Sequence, residues 1–320
     1  MAARNLTCMP RLPGVFLAIG ALLLLQTDGL LAGSDQPARD KSTVGQQVYR
    51  RACATCHGLT GNGAGPAARY LDPLPRDFTM GTYKFRSTTA GQLPSDDDLY
   101  RTITRGVPGT MMPAFRNALN EQDRREVAGY IKIFSPMFLT LPQGEPIEIP
   151  EPTEVSERAV QEGRHIYMTL SCWTCHGSQG RGDGVAASGL IDVWGHDVRP
   201  PDLTSPYFKG GNAPEDVFRS IVTGFSGTPM PSFAESFRFA RDDFRSDSAY
   251  DGIFSASEVA TLNTYLSSQP SREEWDSLTD TEAKALMNRR KWALAHYVKS
   301  LSLKRGLVHA LFVQDTEVTK

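Results

Sequence analysis

Thiols are scarce in this 320-residue chain, which has five cysteines, one of them (Cys8) inside an N-terminal apolar segment. The other four fall in two short motifs, so none remains for a disulfide, a catalytic thiol or a third metal site. An excess of one charge is also missing: 34 basic and 36 acidic residues give a formal net charge of −2. With no long basic run beside that balance, the composition argues against nucleic-acid binding. No apolar run reaches the ~20 residues of a spanning helix. An alternating strand pattern is absent, which leaves helix as the expected regular structure.

The apolar segment reads as an export signal. Arg4 and Arg11 precede Leu12 to Leu25, and small residues follow at Leu30-Leu31-Ala32-Gly33-Ser34. That order of charged, apolar and small-residue regions predicts a secretory signal over residues 1–33, the alternative being an uncleaved anchor. Ser34 stands where a lipoprotein would carry its lipidated cysteine, which argues against lipidation.

What is present is a repeated motif. Cys53-Ala54-Thr55-Cys56-His57 and Cys172-Trp173-Thr174-Cys175-His176 are both C-x-x-C-H. This is the pattern of covalent haem c attachment, in which two thiols add across the two vinyl groups and the adjacent histidine binds iron. Zinc would need further ligands at matching spacing, and thioredoxin-like chemistry would not require a histidine next to the motif twice. Two covalently attached haem c groups are therefore expected, on Cys53, Cys56, Cys172 and Cys175, with His57 and His176 as proximal ligands.

The motifs start 119 residues apart, and the likeness of the halves runs beyond them. Gly58 to Gly65 parallels Gly177 to Gly184, Pro75-Arg76-Asp77-Phe78-Thr79 parallels Pro200-Pro201-Asp202-Leu203-Thr204, and Asp98 to Ile103 parallels Asp216 to Ile221. Gly109-Thr110-Met111-Met112-Pro113 parallels Gly227-Thr228-Pro229-Met230-Pro231. A repeat of this length means a duplicated domain. Met112 and Met230 lie 55 and 54 residues after their histidines, in one repeat position and each before proline. They are the candidate distal iron ligands, with Met111 the neighbouring competitor.

Apolar spacing predicts helices over Val44–Ala54, Ala159–Cys172, Leu99–Ile103, Val217–Ile221 and Arg125–Phe134. The helix matching the last of these in the second half is Lys291–Leu301 in preference to Glu258–Leu266, since Tyr297-Val298-Lys299 echoes Tyr130-Ile131-Lys132. The expected domains are therefore 42–136 and 156–304, the second with an insertion over about 236–288 that is a candidate contact surface or a peripheral flap. Prolines and glutamates predict an extended, semi-rigid spacer at 137–155. Residues 305–320 are expected as a tail.

Helix, C-x-x-C-H, Gly-rich loop, short helix, Met-Pro loop and C-terminal helix, in that order, resemble class I cytochrome c, occurring twice. The resemblance implies an all-α fold with two tandem domains, each enclosing one haem with His/Met iron. It also implies that the proline after the Gly-rich loop presents its carbonyl to the proximal histidine. Pro66 stands in that place, and Val185 departs from it. Two six-coordinate irons leave no open position for a substrate, so the expected role is one-electron transfer in a bacterial periplasmic or membrane-associated respiratory chain. The expected partners are a membrane respiratory complex or a periplasmic dehydrogenase. The alternatives are a di-haem peroxidase, which needs one iron open to peroxide, and a permanent haem c subunit of a respiratory oxidoreductase.

Overall fold

The computed structural model describes residues 43–243 and 247–314, the side chains of 247–248 and 303–314 excepted. The expected signal segment and Cys8 lie outside these residues. Thr43 begins the first helix as its N-cap, its side chain accepting from the Gln46 amide, which satisfies one of the amides a helix start leaves unpaired. Helix α1 (Val44–Ala52) leads into one turn, α2 (Ala54–His57), that carries the first motif. α3 (Asp96–Arg105) starts in a capping box in which Ser95 and Asp98 bond each other's backbone. α4 (Glu121–Ile131) continues as a 3₁₀ turn to Phe134, and a further turn, α5 (Met137–Thr140), follows.

The second half repeats the plan. α6 (Glu157–Thr169) precedes α7 (Trp173–His176), and α8 (Pro214–Thr223) corresponds to α3. α9 (Ala256–Ser267) and α10 (Arg272–Asp276) come next, then α11 (Asp280–Gln314). Residues 305–314, expected as tail, thus belong to a helix. Among the described residues there are isolated bridges but no strand.

Two glycines show which helices correspond. α1 crosses α4 with Gly45 against the Glu126 carbonyl and Tyr130, and α6 crosses α11 with Gly163 against the Ala293 carbonyl and Tyr297. α11 therefore packs in the second half as α4 packs in the first. Each half has its own apolar core. Val48, Tyr49, Leu99 and Val127 are central to one; Ile166, Tyr167, Phe218 and Trp292 are central to the other.

The described residues of the insertion pack into the second half and do not form a peripheral flap. Phe237, Phe239, Tyr250, Phe254 and Leu262 join the second core. The fully buried Arg290 guanidinium donates through its two terminal nitrogens to the Phe237 and Phe239 carbonyls and to Gln269 Oε1, so the inserted chain is tied to α11 by a buried cation. The spacer, expected as extended over 137–155, opens with the helical turn α5 and is then tied to both halves near its middle. The Ile147 amide donates to the Ser87 carbonyl at 2.7 Å, and the Trp292 indole donates to the Pro150 carbonyl at 3.2 Å.

Arg86, 4% exposed, joins the halves. Its guanidinium donates to Ser226 Oγ at 2.7 Å, to the Thr223 carbonyl at 2.8 Å and to the Thr88 carbonyl. Arg105 of α3 adds an ion pair with Asp216 of α8, one guanidinium nitrogen lying 3.1 Å from both carboxylate oxygens. Arg86→Ala leaves three acceptors with no donor in a buried place. At ~1–3 kcal/mol for an unsatisfied buried group, with relaxation sharing the loss, the expected fall is about 3 kcal/mol. A urea unfolding midpoint that matches the parent would contradict this.

Candidate functional site

Each motif sits on a single helical turn that begins within four residues of the end of a longer helix, and the same hydrogen bonds fix both turns. The Tyr49 hydroxyl donates to the Gly58 carbonyl and the Tyr167 hydroxyl to the Gly177 carbonyl, both at 2.7 Å and buried. The Gly63 amide donates to the His57 carbonyl at 2.9 Å, and the Gly182 amide to the His176 carbonyl at 2.8 Å. Gly58 and Gly177 end the turns at φ 78° and 79°, a conformation favourable for glycine because it has no Cβ.

The imidazoles are oriented alike. His57 Nδ1 lies 3.0 Å from the Arg76 carbonyl and His176 Nδ1 lies 3.4 Å from the Pro201 carbonyl. A carbonyl can only accept, so Nδ1 carries the proton and Nε2 keeps its lone pair. Orienting one ring nitrogen in this way is how proteins prepare the other for a metal. Burial pushes both imidazoles below their ordinary pKa, favouring the neutral form that ligates.

These acceptors correct one expectation. The carbonyl facing His57 belongs to Arg76, not Pro66, whose side of the loop is exposed. Arg76 and Pro201 occupy one repeat position, so the change from Pro66 to Val185 removes no partner from His176.

The thiols are free, and Cys53 and Cys172 are held away from the thiolate form. Burial, then the neighbouring Cys56, pushes Cys53 up to about 11; burial dominates in pushing Cys172 up to about 12. Redox-active C-x-x-C sites show the opposite shift, toward an acidic thiol. Among the described residues no three His, Cys, Asp or Glu side chains converge on a common metal position, as a zinc site requires.

Met112 and Met230 close matching loops. The Val107 amide donates to the Met112 carbonyl at 3.0 Å and the Phe225 amide to the Met230 carbonyl at 3.1 Å. The Thr110 hydroxyl accepts from the Met112 amide at 3.1 Å, and the Thr228 hydroxyl from the Met230 amide at 3.3 Å. Gly106 and Gly224, at φ 68° and 66°, lie where a Cβ would stand 2.5 Å from the backbone of Pro113 and Pro231. Met112 packs against the first core, which also holds Phe78, stacked on His57 at 4.5 Å. Met111 is 68% exposed. Met230 is half-buried.

Sequence reasoning passed over several functional neighbours. Tyr49 and Tyr167 are buried in the two cores, and their hydroxyls also hold the turn after each histidine. Asp77 and Asp202 each accept from the amide and hydroxyl of the threonine two residues on, at 2.8 and 2.6 Å in both halves, which shapes the loop that offers the histidine its carbonyl. The aligned P-x-D-x-T segments carried that signal. Trp173, between the two thiols of the second motif, is covered by Tyr250 and Phe254 of the inserted chain.

Comparison with known proteins agrees with this geometry. Residues 40–131 match the family model described as cytochrome c oxidase, cbb3-type, subunit III, and residues 160–270 match the model described as cytochrome c. Cytochrome c55X of Paracoccus denitrificans is 30% identical over 113 residues, which is 35% of this chain and 91% of that protein. The chain belongs to the cytochrome c family. Cytochrome c55X of Stutzerimonas stutzeri is 33% identical over 109 residues, 33% of this chain and 76% of its own. A chain of the Kuenenia stuttgartiensis reducing HAO-like protein complex superposes with a TM-score of 0.64 at 36% identity, covering 81% of this chain and 96% of that one.

Two cytochrome c domains imply two haem c groups, and the protein is a di-haem electron-transfer cytochrome with redox proteins as its partners. The donor set fits that cofactor: paired unbonded thiols, a neutral imidazole with Nε2 free, and a thioether from a loop of fixed shape occur once in each half. Bound haem supplies reversible one-electron chemistry at iron, with a potential tuned by axial ligand and burial. Among the described residues no helix is long and apolar enough to cross a membrane.

Proposed function

We propose that this cytochrome is an exported electron carrier of the periplasm, with both irons closed to substrate. Cys53 and Cys56 would hold one haem and Cys172 and Cys175 the other, with His57 and Met112, and His176 and Met230, as axial pairs. The observation that supports this reading best is the matched second set of hydrogen bonds. Both histidines meet a carbonyl at one repeat position, and both methionine loops are pinned by the same two bonds. A duplicated carrier needs two such sites, whereas a peroxidase needs one of them open.

Met230→His tests this assignment. Replacing thioether by imidazole lowers haem potential, so one of the two potentials is expected to fall. The methionine–iron charge-transfer band is expected to drop to roughly half, because one of two such sites is lost. An unchanged band would remove Met230 from the iron.

A second reading has its own support. The similar chain of known structure comes from a multiprotein complex and is matched over 96% of its length. On that reading this chain is the haem c subunit of a respiratory oxidoreductase and receives or delivers its electrons inside the assembly. Size-exclusion chromatography of the protein from its native membrane or periplasmic fraction separates the two. A carrier elutes near its own 35.2 kDa mass, less any cleaved signal, and a subunit elutes with its enzyme.

A further inference from the structure

Duplication gives each surface position an internal counterpart, and at three positions the halves differ in the same direction. Leu59, Met80 and Ile133 of the first half are exposed, at 73%, 45% and 63%. Ser178, Ser205 and Ser300 hold the same repeat positions in the second half and are half-buried. The framework around these positions is shared. The Phe78 amide donates to the Gly61 carbonyl at 2.7 Å, as the Leu203 amide does to the Gly180 carbonyl at 2.6 Å. A Cβ on Gly61 would stand 2.5 Å from Phe134, and one on Gly180 would stand 2.7 Å from Leu301.

Those contacts gather the three apolar residues on one face. Leu59 lies two residues before Gly61, Met80 two residues after Phe78, and Ile133 immediately before Phe134. Gly81, next to Met80, packs where a Cβ would stand 2.8 Å from Ser135 Oγ and 2.9 Å from Met137 Sδ. That contact brings in α5 with its exposed Leu139, and exposed Leu141 follows. The segments that form the face, 58–68, 78–83 and 133–144, contain no charged residue. Single apolar residues on a surface are ordinary, whereas a charge-free group of them marks a contact site.

Phe134 and Phe78 join this face to the first site. Their ring centroids lie 6.4 Å apart, and Phe78 stacks on His57 at 4.5 Å. At roughly 100 Å² each, five side chains offer about 500 Å², or ~1,000 Å² with a partner's matching area. That is the size of a transient electron-transfer encounter, short of the ~1,600 Å² of a stable complex or dimer.

We propose that Leu59, Met80, Ile133, Leu139 and Leu141 form the docking face for a redox protein that presents an uncharged, apolar surface around its own redox centre. This rests on the carrier reading proposed above. Docking here sets the partner on the proximal side of the first haem, with Phe134 and Phe78 between it and His57. One electron passes from the reduced partner to ferric iron, or back, and no bond or proton is transferred. Serine at the counterpart positions leaves the second half without this face, so exchange with this partner occurs at the first half.

The test uses the full-length, haem-loaded protein. The triple variant Leu59→Ser, Met80→Ser, Ile133→Ser installs the residues that the second half already carries, which limits the risk to folding. Stopped-flow mixing with azurin, a blue-copper protein with an uncharged apolar copper edge, reads docking; ferricyanide, a small anion, reads the haems without a docked partner. The variant is expected to react with azurin about tenfold more slowly, within the one to three decades that variants of one interface span, and with ferricyanide at the parent's rate. The parent's azurin rate is expected to change less than about twofold between ~50 and ~500 mM salt, since no charge steers the encounter. Equal azurin rates in parent and variant would overturn the face, as would a steep fall with salt. So would a parent dimer in analytical ultracentrifugation, or parent binding to phosphatidylcholine vesicles, that the serine variant loses, because the occupant would then be a second copy or a lipid surface. A parent that holds two haems but exchanges electrons with neither azurin nor ferricyanide would instead refute the carrier reading.

Discussion

Replacing Cys53 and Cys56 together with alanine is expected to leave one covalent haem per chain, and Cys172 with Cys175 to do the same for the other half. The reason is architectural. The two motifs sit on separate turns, α2 and α7, and each turn is backed by a different apolar core. Loss of one cofactor therefore removes its own thioethers without touching the thiols, imidazole or methionine loop of the other. Twofold loss in pyridine-haemochrome absorbance per mole of chain checks it. A variant that loses both haems would show that the halves do not load independently, and one that keeps both would remove these cysteines from haem attachment.

Gly163→Ala is expected to destabilise the second half by about 3 kcal/mol or more, the upper range for overpacking a well-filled core. An added Cβ would stand 2.0 Å from the Ala293 carbonyl oxygen and 2.6 Å from Tyr297 Cβ, so α6 and α11 cannot approach as they do. Gly45→Ala repeats the conflict at 2.4 Å from the Glu126 carbonyl, with a similar effect on α1 and α4. Gly129 of α4 provides the control, since a Cβ there meets nothing within 4 Å. With the clash absent, helix propensity decides the sign, and Gly129→Ala should stabilise by about 1 kcal/mol. Urea unfolding of the three variants reads the difference directly. Equal effects at all three positions would contradict the close helix crossings.

Much of this arrangement was legible in the residues themselves. The candidate haem-attachment residues form a contiguous motif, so no folding argument is needed to group them. Met112 and Met230 stood out because duplication supplied an internal alignment. The same alignment placed the partner of α4 inside α11, where Gly163 meets Tyr297 as Gly45 meets Tyr130. The match to the second family model stops at residue 270, before α11 begins.

What escaped was carried by backbone or by distance along the chain. The acceptor for His57 is a main-chain carbonyl, which leaves no side-chain signature, so Pro66 was a reasonable expectation and Arg76 was not. The inserted residues near 236–288 have apolar side chains without a simple period, and their place in the core follows from Arg290 and Trp173, which lie outside them. The pairing of Trp194 with Arg76 spans more than one hundred residues and depends on how the halves dock. The docking itself rests on Arg86, an arginine whose partners are carbonyls and a hydroxyl rather than an acid.

A spectroelectrochemical titration of the full-length protein that follows the methionine–iron band tests the central claim most directly. Two closed His/Met sites predict two one-electron steps, each bleaching part of that band, with low-spin iron throughout. A high-spin signal in the half-reduced protein, with turnover of added peroxide, would mean that one iron opens to substrate and that the chain is an enzyme.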